Sequence, residues 1–88
     1  MKLNSKTNIE QLAEWIDEWQ EQLFRYAYFR LGNRSDAEDV VQDAFLLAAE
    51  KDIRRLDNPL AWLMKTTSNL CLQRMDRAKR DTGKLQRF

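Results

Sequence analysis

Only Gly32 and Pro59 interrupt the body of this chain, and apolar side chains recur at helical spacing on either side of them. Two glycines and one proline in 88 residues leave little turn punctuation, so the chain is restricted to a few long helices. No alternating apolar pattern of useful length appears, and no sheet is expected. The fold class that follows is all-α: one compact domain of three helices.

The first helix is expected over residues 8–31. Thr7 and Glu10 form a capping box at its start, and Gly32 takes the left-handed conformation that ends it. Its apolar positions are Ile9, Leu12, Ile16, Trp19, Leu23, Tyr26 and Ala27. Phe24, Tyr26, Tyr28 and Phe29 fall at spacings that read as core in a small bundle.

The second helix, expected over 35–51, organises the rest. Ala37, Val40, Val41, Ala44, Phe45 and Ala48 share one face. Asp36, Glu38, Asp39, Gln42 and Asp43 occupy the other, and the acidic first turn suits the positive end of the helix dipole. Ser35 with Glu38 reads as a second capping box.

Residues 52–58 read as an irregular connection. Asn58 as cap and Pro59 at the first helical position then open the third helix, expected over 59–80. Its buried stripe is Leu60, Leu63, Met64, Thr67, Leu70, Cys71 and Met75. The expected core joins Ile16, Trp19, Leu23, Val41, Phe45, Leu63 and Leu70.

Composition removes several functions. The single cysteine, Cys71, excludes an internal disulfide and a cysteine-cluster zinc site, and there is no histidine. No nucleophile is paired with a histidine base, and no glycine-rich loop carries a phosphate-binding lysine. Asp39 and Asp43 at i, i+4 lack the further ligands that magnesium sites borrow from a substrate phosphate. The chain is expected to be no enzyme and to hold no cofactor. No apolar run approaches the roughly 20 residues of a membrane span, and no signal peptide is evident, so a cytoplasmic protein without membrane contact is expected.

Charge is split along the chain. Residues 1–50 carry 5 Lys/Arg against 10 Asp/Glu, and residues 51–88 carry 10 against 4. An acidic surface and a basic surface can therefore meet different partners. The polar face of the last helix holds Lys65, Thr66, Asn69, Arg77 and Arg80, side-chain types that hold phosphates and touch base edges. Trp62 on that face has two open readings, stacking on an unpaired base or packing against the loop before it. Arg54, Arg55, Asp57 and Asn58 form either a polar pocket or a solvated connector.

The run DAEDVVQDAF, followed by NPLAWLMKTTSNL and a basic tail, resembles the second conserved region of bacterial sigma factors of the extracytoplasmic-function group. The resemblance covers roughly residues 20–80. It implies a three-helix domain of the sigma-factor region 2 type over residues 1–80. Residues 81–88 would begin a linker toward a C-terminal helix-turn-helix domain that these residues do not contain. The resemblance also implies a role in transcription initiation. Asp39, Gln42 and Asp43 would meet the clamp helices of the β′ subunit of the RNA polymerase core. The last helix and the loop before it would recognise and melt the −10 promoter element, capturing a flipped base of the non-template strand. Carried over by position, Arg54, Arg55, Asp57 and Asn58 would line the base pocket. Trp62, Lys65, Thr66 and Asn69 would face the melted edge, and Arg74, Arg77, Lys79 and Arg80 would follow the backbone. Where the family has an aspartate four residues after the asparagine, this chain has Gln73. Family members are commonly held by an anti-sigma factor, and nothing in these residues identifies one. The reading from a different class is a helical protein–protein adaptor module without DNA binding.

Overall fold

A computed structural model describes residues 7–51 and 55–86, with residues 8 and 78–86 described by their backbone. Three helices follow one another: α1 over Asn8–Leu31, α2 over Arg34–Ala49 and α3 over Pro59–Gln86. Among the described residues there is no strand, so the all-α expectation holds.

The helix ends show why the chain breaks where it does. At the start of α1 the Thr7 hydroxyl accepts from the Glu10 N–H at 3.1 Å, and the Glu10 carboxylate accepts from the Thr7 N–H at 3.1 Å. Two of the donors that a helix start leaves unpaired are thereby satisfied. Gly32 closes α1 at φ 67°, ψ 15°, donating its N–H to Tyr28 O at 2.7 Å. A side chain in that left-handed conformation would cost about 1 kcal/mol. The next residue, Asn33, caps α2, its Oδ1 accepting from the Asp36 N–H at 2.9 Å. The expected Ser35 capping box is therefore not the start of α2: Ser35 lies inside the helix, which begins one residue earlier. Asn33 is an equally good cap and has the extended backbone a cap requires, φ −141°, ψ 124°. Helix α2 ends at Ala49, with Glu50 N–H turning back to Leu47 O at 3.2 Å. Asn58 caps α3 as expected, its Oδ1 accepting from Ala61 N–H at 3.1 Å.

Helix α3 runs on to Gln86, six residues past its expected end. Gly83 costs a helix only about 1 kcal/mol relative to alanine, and Lys84, Leu85 and Gln86 beyond it are good helix formers.

Leu23, Ala27, Ala37, Val40, Ala44, Ala48, Leu63 and Cys71 are fully buried, and Trp15, Val41 and Phe45 nearly so. Each large aliphatic side chain here contributes roughly 1.5–3 kcal/mol of burial. Ala37, Ala44 and Ala48 keep the buried face of α2 small, and α1 and α2 share the largest interface. Ile16, Trp19 and Leu70 pack around this core half-buried instead of forming its centre. Trp15, absent from the expected stripe, is buried and stacks on Trp19 with ring centroids 5.7 Å apart.

Length explains one further difference. At 1.5 Å per residue α1 is about 36 Å long and α2 about 24 Å. The first turns of α1 therefore overhang α2, and Ile9 is 80% exposed. Met75, expected in the buried stripe of α3, is 39% exposed and lies against Arg30 at the end of α1, because about 120° of helix separates it from Leu63. Tyr28 and Phe29, expected in the core, are also exposed, at 48% and 84%. They turn outward because Leu23 and Ala27 hold the buried face of that part of α1.

Candidate functional site

The outer surface of α2 has two edges that differ in chemistry. Along the α1 edge an open groove of about 650 Å³ is floored by Leu12, Ile16, Phe24, Val41, Phe45 and Leu46. Gln20, Glu21, Arg34, Glu38 and Gln42 form its rim. Arg34 crosses one end, pairing with Glu38 at 3.3 Å and lying 5.6 Å from the centre of the Phe24 ring. Gln42 is exposed beside this groove.

Along the α3 edge lie Asp36, Asp39 and Asp43, and all three face Arg74. Its guanidinium is 3.2 Å from Asp36 and 3.9 Å from both Asp39 and Asp43. The three residues that resemblance assigns to polymerase therefore split. Gln42 borders an apolar groove, while Asp39 and Asp43 share a cation from the neighbouring helix. Their side chains keep 56% and 49% of their exposure, so both remain open to a second partner.

On α3 the local sequence separates an inner row from an outer one. Leu63, Thr67 and Cys71 point inward at i, i+4, i+8 and are fully buried. Lys65, Asn69, Gln73 and Arg77 are exposed on the other side, with Thr66 half-buried between the rows. Among the described residues Lys65, Asn69 and Arg77 make no ion pair or side-chain hydrogen bond, which leaves their polar ends to solvent or a ligand. Trp62 is half-buried against the core, and the Lys51 ammonium sits 5.7 Å from the centre of its ring. That contact holds one cation beside an aromatic surface, as cation–π attraction favours.

The loop residues Arg55, Asp57 and Asn58 are exposed. Asn58 already uses its side-chain oxygen as the cap of α3, which leaves its amide N–H₂ as the group with hydrogen-bonding capacity to spare. Arg54 lies outside the described residues. Lys79 and Arg80 continue α3, with side chains outside the described set.

Burial pushes the Cys71 thiol above its ordinary pKa of 9.0, and the positive charges of Arg30 and Arg74 oppose that rise. Arg30 itself donates to the Tyr26 hydroxyl at 2.6 Å and lies 3.9 Å from Met75 Sδ, tying the end of α1 to α3.

Sequence reasoning did not foresee the contact of Arg74 with α2. The signal was present: position 74 continues the inward row of Leu63, Thr67 and Cys71, so a charge there must face another helix.

The family model for Sigma-70 region 2 matches residues 15–81, which takes in most of α1, all of α2 and most of α3. A similar curated protein is the ECF RNA polymerase sigma factor SigW of Bacillus subtilis (strain 168), 29% identical over 85 residues. The aligned segment covers 92% of this chain and 44% of SigW, so the chain spans less than half the length of that relative. No solved structure matches the chain at comparable significance. With three-quarters of its residues inside the matched region, the chain belongs to the Sigma-70 region 2 family.

Proposed function

We propose that this chain acts in transcription initiation as the part of a sigma factor that joins RNA polymerase core to the −10 promoter element. The observation that carries this reading is the placement of two polar surfaces on adjacent helices of one packed core. Asp39, Gln42 and Asp43 are available on α2, while Lys65, Thr66, Asn69 and Arg77 line the outer face of α3. In this reading the clamp helices of β′ dock on α2, and Gln42 contacts them at the groove it shares with α1. The unpaired non-template strand lies along α3. Trp62 stacks at its edge, Arg54, Arg55, Asp57 and the Asn58 amide receive a flipped base, and Arg77, Lys79 and Arg80 follow the backbone. Extruding that base costs a few kcal/mol, which stacking and edge hydrogen bonds offset. The site of action is the cytoplasm, where polymerase meets DNA. Among the described residues no helix is long and apolar enough to cross a membrane.

The test is binding to polymerase core, or to its β′ clamp helices, beside a Gln42→Ala/Asp43→Ala variant whose folding is checked by circular dichroism. The double substitution is expected to remove binding. Three to five phosphate contacts to a −10-like single strand should give a log–log salt slope of about −2 to −4. A folded wild-type chain that binds neither polymerase nor single-stranded DNA would refute the proposal and favour a protein–protein adaptor.

A further inference from the structure

Asp36, Asp39 and Asp43 stand at i, i+3 and i+7, one above another on the same face of α2. Carboxylates at that spacing repel one another along a helix. Arg74 lies against all three. One terminal nitrogen is 3.2 Å from Asp36 Oδ1 and 3.9 Å from Asp39 Oδ2, and the other is 3.9 Å from Asp43 Oδ2. The contrast with other arginines is informative. Arg25 and Arg34 pair with glutamates one turn away on their own helices, with side chains 74% and 77% exposed. Arg74 reaches a different helix, and its side chain is only 28% exposed.

Its place on α3 agrees. Position 74 extends the buried row Leu63, Thr67 and Cys71, and at about 100° per residue it is turned roughly 100° or more from Trp62, Asn69 and Gln73 and about 60° from Arg77, which unlike Arg74 is exposed and reaches no carboxylate among the described residues. A guanidinium has five donors in a rigid fork, suited to several carboxylate oxygens at once. A phosphate on the outer face of α3 would compete with three carboxylates for a side chain that points elsewhere.

We propose that Arg74 is a positioning residue: a clasp that fixes the DNA-facing helix α3 against the polymerase-facing helix α2, with no phosphate contact of its own. The clasp itself stands on the ion pairs, and what the two helices carry rests on the reading in the preceding subsection. Asp36 is its anchor, since it is the closest partner and lies outside the polymerase-facing set Asp39, Gln42 and Asp43. A partner that takes Asp39 and Asp43 therefore leaves the Arg74–Asp36 pair in place. Docking of α2 can then hold the outer face of α3 at a fixed angle to polymerase.

Two measurements on the 88-residue chain test this. The first is a urea-unfolding cycle of wild type, Arg74→Gln, Asp36→Asn and the double variant. Each single substitution should lower the folding constant, and the effect of Asp36→Asn should shrink by about threefold or more once Arg74 is gone. Effects that multiply to within about twofold would overturn the clasp. The second is a salt titration of a fluorescein-labelled single-stranded oligonucleotide with Arg74→Gln, Arg74→Lys and Arg77→Gln, each shown to be fully folded at the assay temperature. Arg77→Gln should reduce the salt slope by about 0.7, the loss of one single-strand phosphate contact. Arg74→Gln should weaken binding by about threefold to tenfold at every salt concentration with the slope unchanged, and Arg74→Lys should recover part of that loss. A slope reduced as in Arg77→Gln would make Arg74 a phosphate ligand, and an unchanged affinity would leave it no positioning role; either overturns the proposal. A wild-type chain that binds no single strand would refute the DNA reading instead, and the unfolding cycle would then decide the clasp alone.

Discussion

Replacing Thr67 by valine should make this protein more stable. Thr67 is fully buried in the middle of α3, and its hydroxyl has no hydrogen-bond partner among the described residues. Its neighbours one turn away on either side, Leu63 and Cys71, are also fully buried. A hydroxyl buried without a partner costs about 1–3 kcal/mol relative to a solvated one. Valine has the same branched shape and nearly the same helix propensity, so packing and backbone terms largely cancel. The expected gain is about 1–2 kcal/mol. For a domain of 60–100 residues that raises the melting temperature by about 4–16 °C. Thermal denaturation followed by circular dichroism at 222 nm, the usual helix band, would read it directly. Thr67→Ser serves as the opposite control: it keeps the hydroxyl, removes the buried methyl and should cost about 1 kcal/mol. A Thr67→Val variant that melts at or below the wild-type temperature would refute the reasoning. It would mean that the hydroxyl is bonded in solution, with the Leu63 carbonyl one turn earlier as the available acceptor.

Three further outcomes follow from the same structure. Leu63→Ala, at a fully buried site on the facing row of α3, should cost about 2–5 kcal/mol, whereas Ile9→Ala on the overhanging first turn should stay within about 0.5 kcal/mol; urea midpoints compare the two. Asn33→Ala should lower stability by about 1 kcal/mol through loss of the α2 cap, while Ser35→Ala should change it by less than half as much, and the reverse order would restore Ser35 as the cap. Cys71, fully buried and with its thiol pKa raised by burial, should react with iodoacetamide only as fast as the fold opens. The sign of its pH effect follows from the same shift. Above pH 9.0, the thiol's ordinary pKa, the unfolded chain releases the proton while the folded chain keeps it, so stability should fall as pH rises. Comparing urea midpoints at pH 8 and pH 10 for wild type and Cys71→Ala isolates that contribution as a smaller alkaline loss in the variant.

Much of the fold was legible because its determinants are local. Thr7 with Glu10, Gly32, and Asn58 with Pro59 each act within one turn of chain, and each helix boundary they mark is where local chemistry places it. Periodicity likewise assigned all six buried positions of α2. Errors arose where the answer depended on a neighbouring helix. Ile9 keeps helical spacing but lies on the overhanging first turn of α1, and Met75 meets the Arg30 side chain instead of the core; no pattern within one helix reveals what stands opposite it. Ser35 failed for a related reason: two adequate caps lie two residues apart, and the choice depends on how the chain leaves Gly32. For the candidate site, residue type and helical face identified Lys65, Asn69 and Arg77 as exposed. They did not show that Lys51 lies beside Trp62 or that Arg74 turns toward α2. Those facts concern pairs of residues from different elements, and a single helix carries no record of its neighbour's side chains.

This arrangement separates stability from recognition more cleanly than an 88-residue chain would lead one to expect. A domain of this size has a small core and little stability to spare. Yet Lys65, Asn69, Arg77, Gln42 and Asp39 all lie outside that core, so substituting them should have little effect on folding and, under the proposed function, should alter binding. Trp62 and Arg74 are the exceptions. Each is half-buried, each touches a second element through a charge, and each sits where α3 leaves the core for its outer face. A loss of binding on substituting either has two sources, a lost ligand contact or a changed angle of α3 to α2. For Arg74 the salt slope separates the two, because a lost phosphate contact changes the number of counterions released and a misplaced helix that keeps its contacts does not; for Trp62, whose contact would be stacking, the slope stays the same either way and the angle of α3 decides.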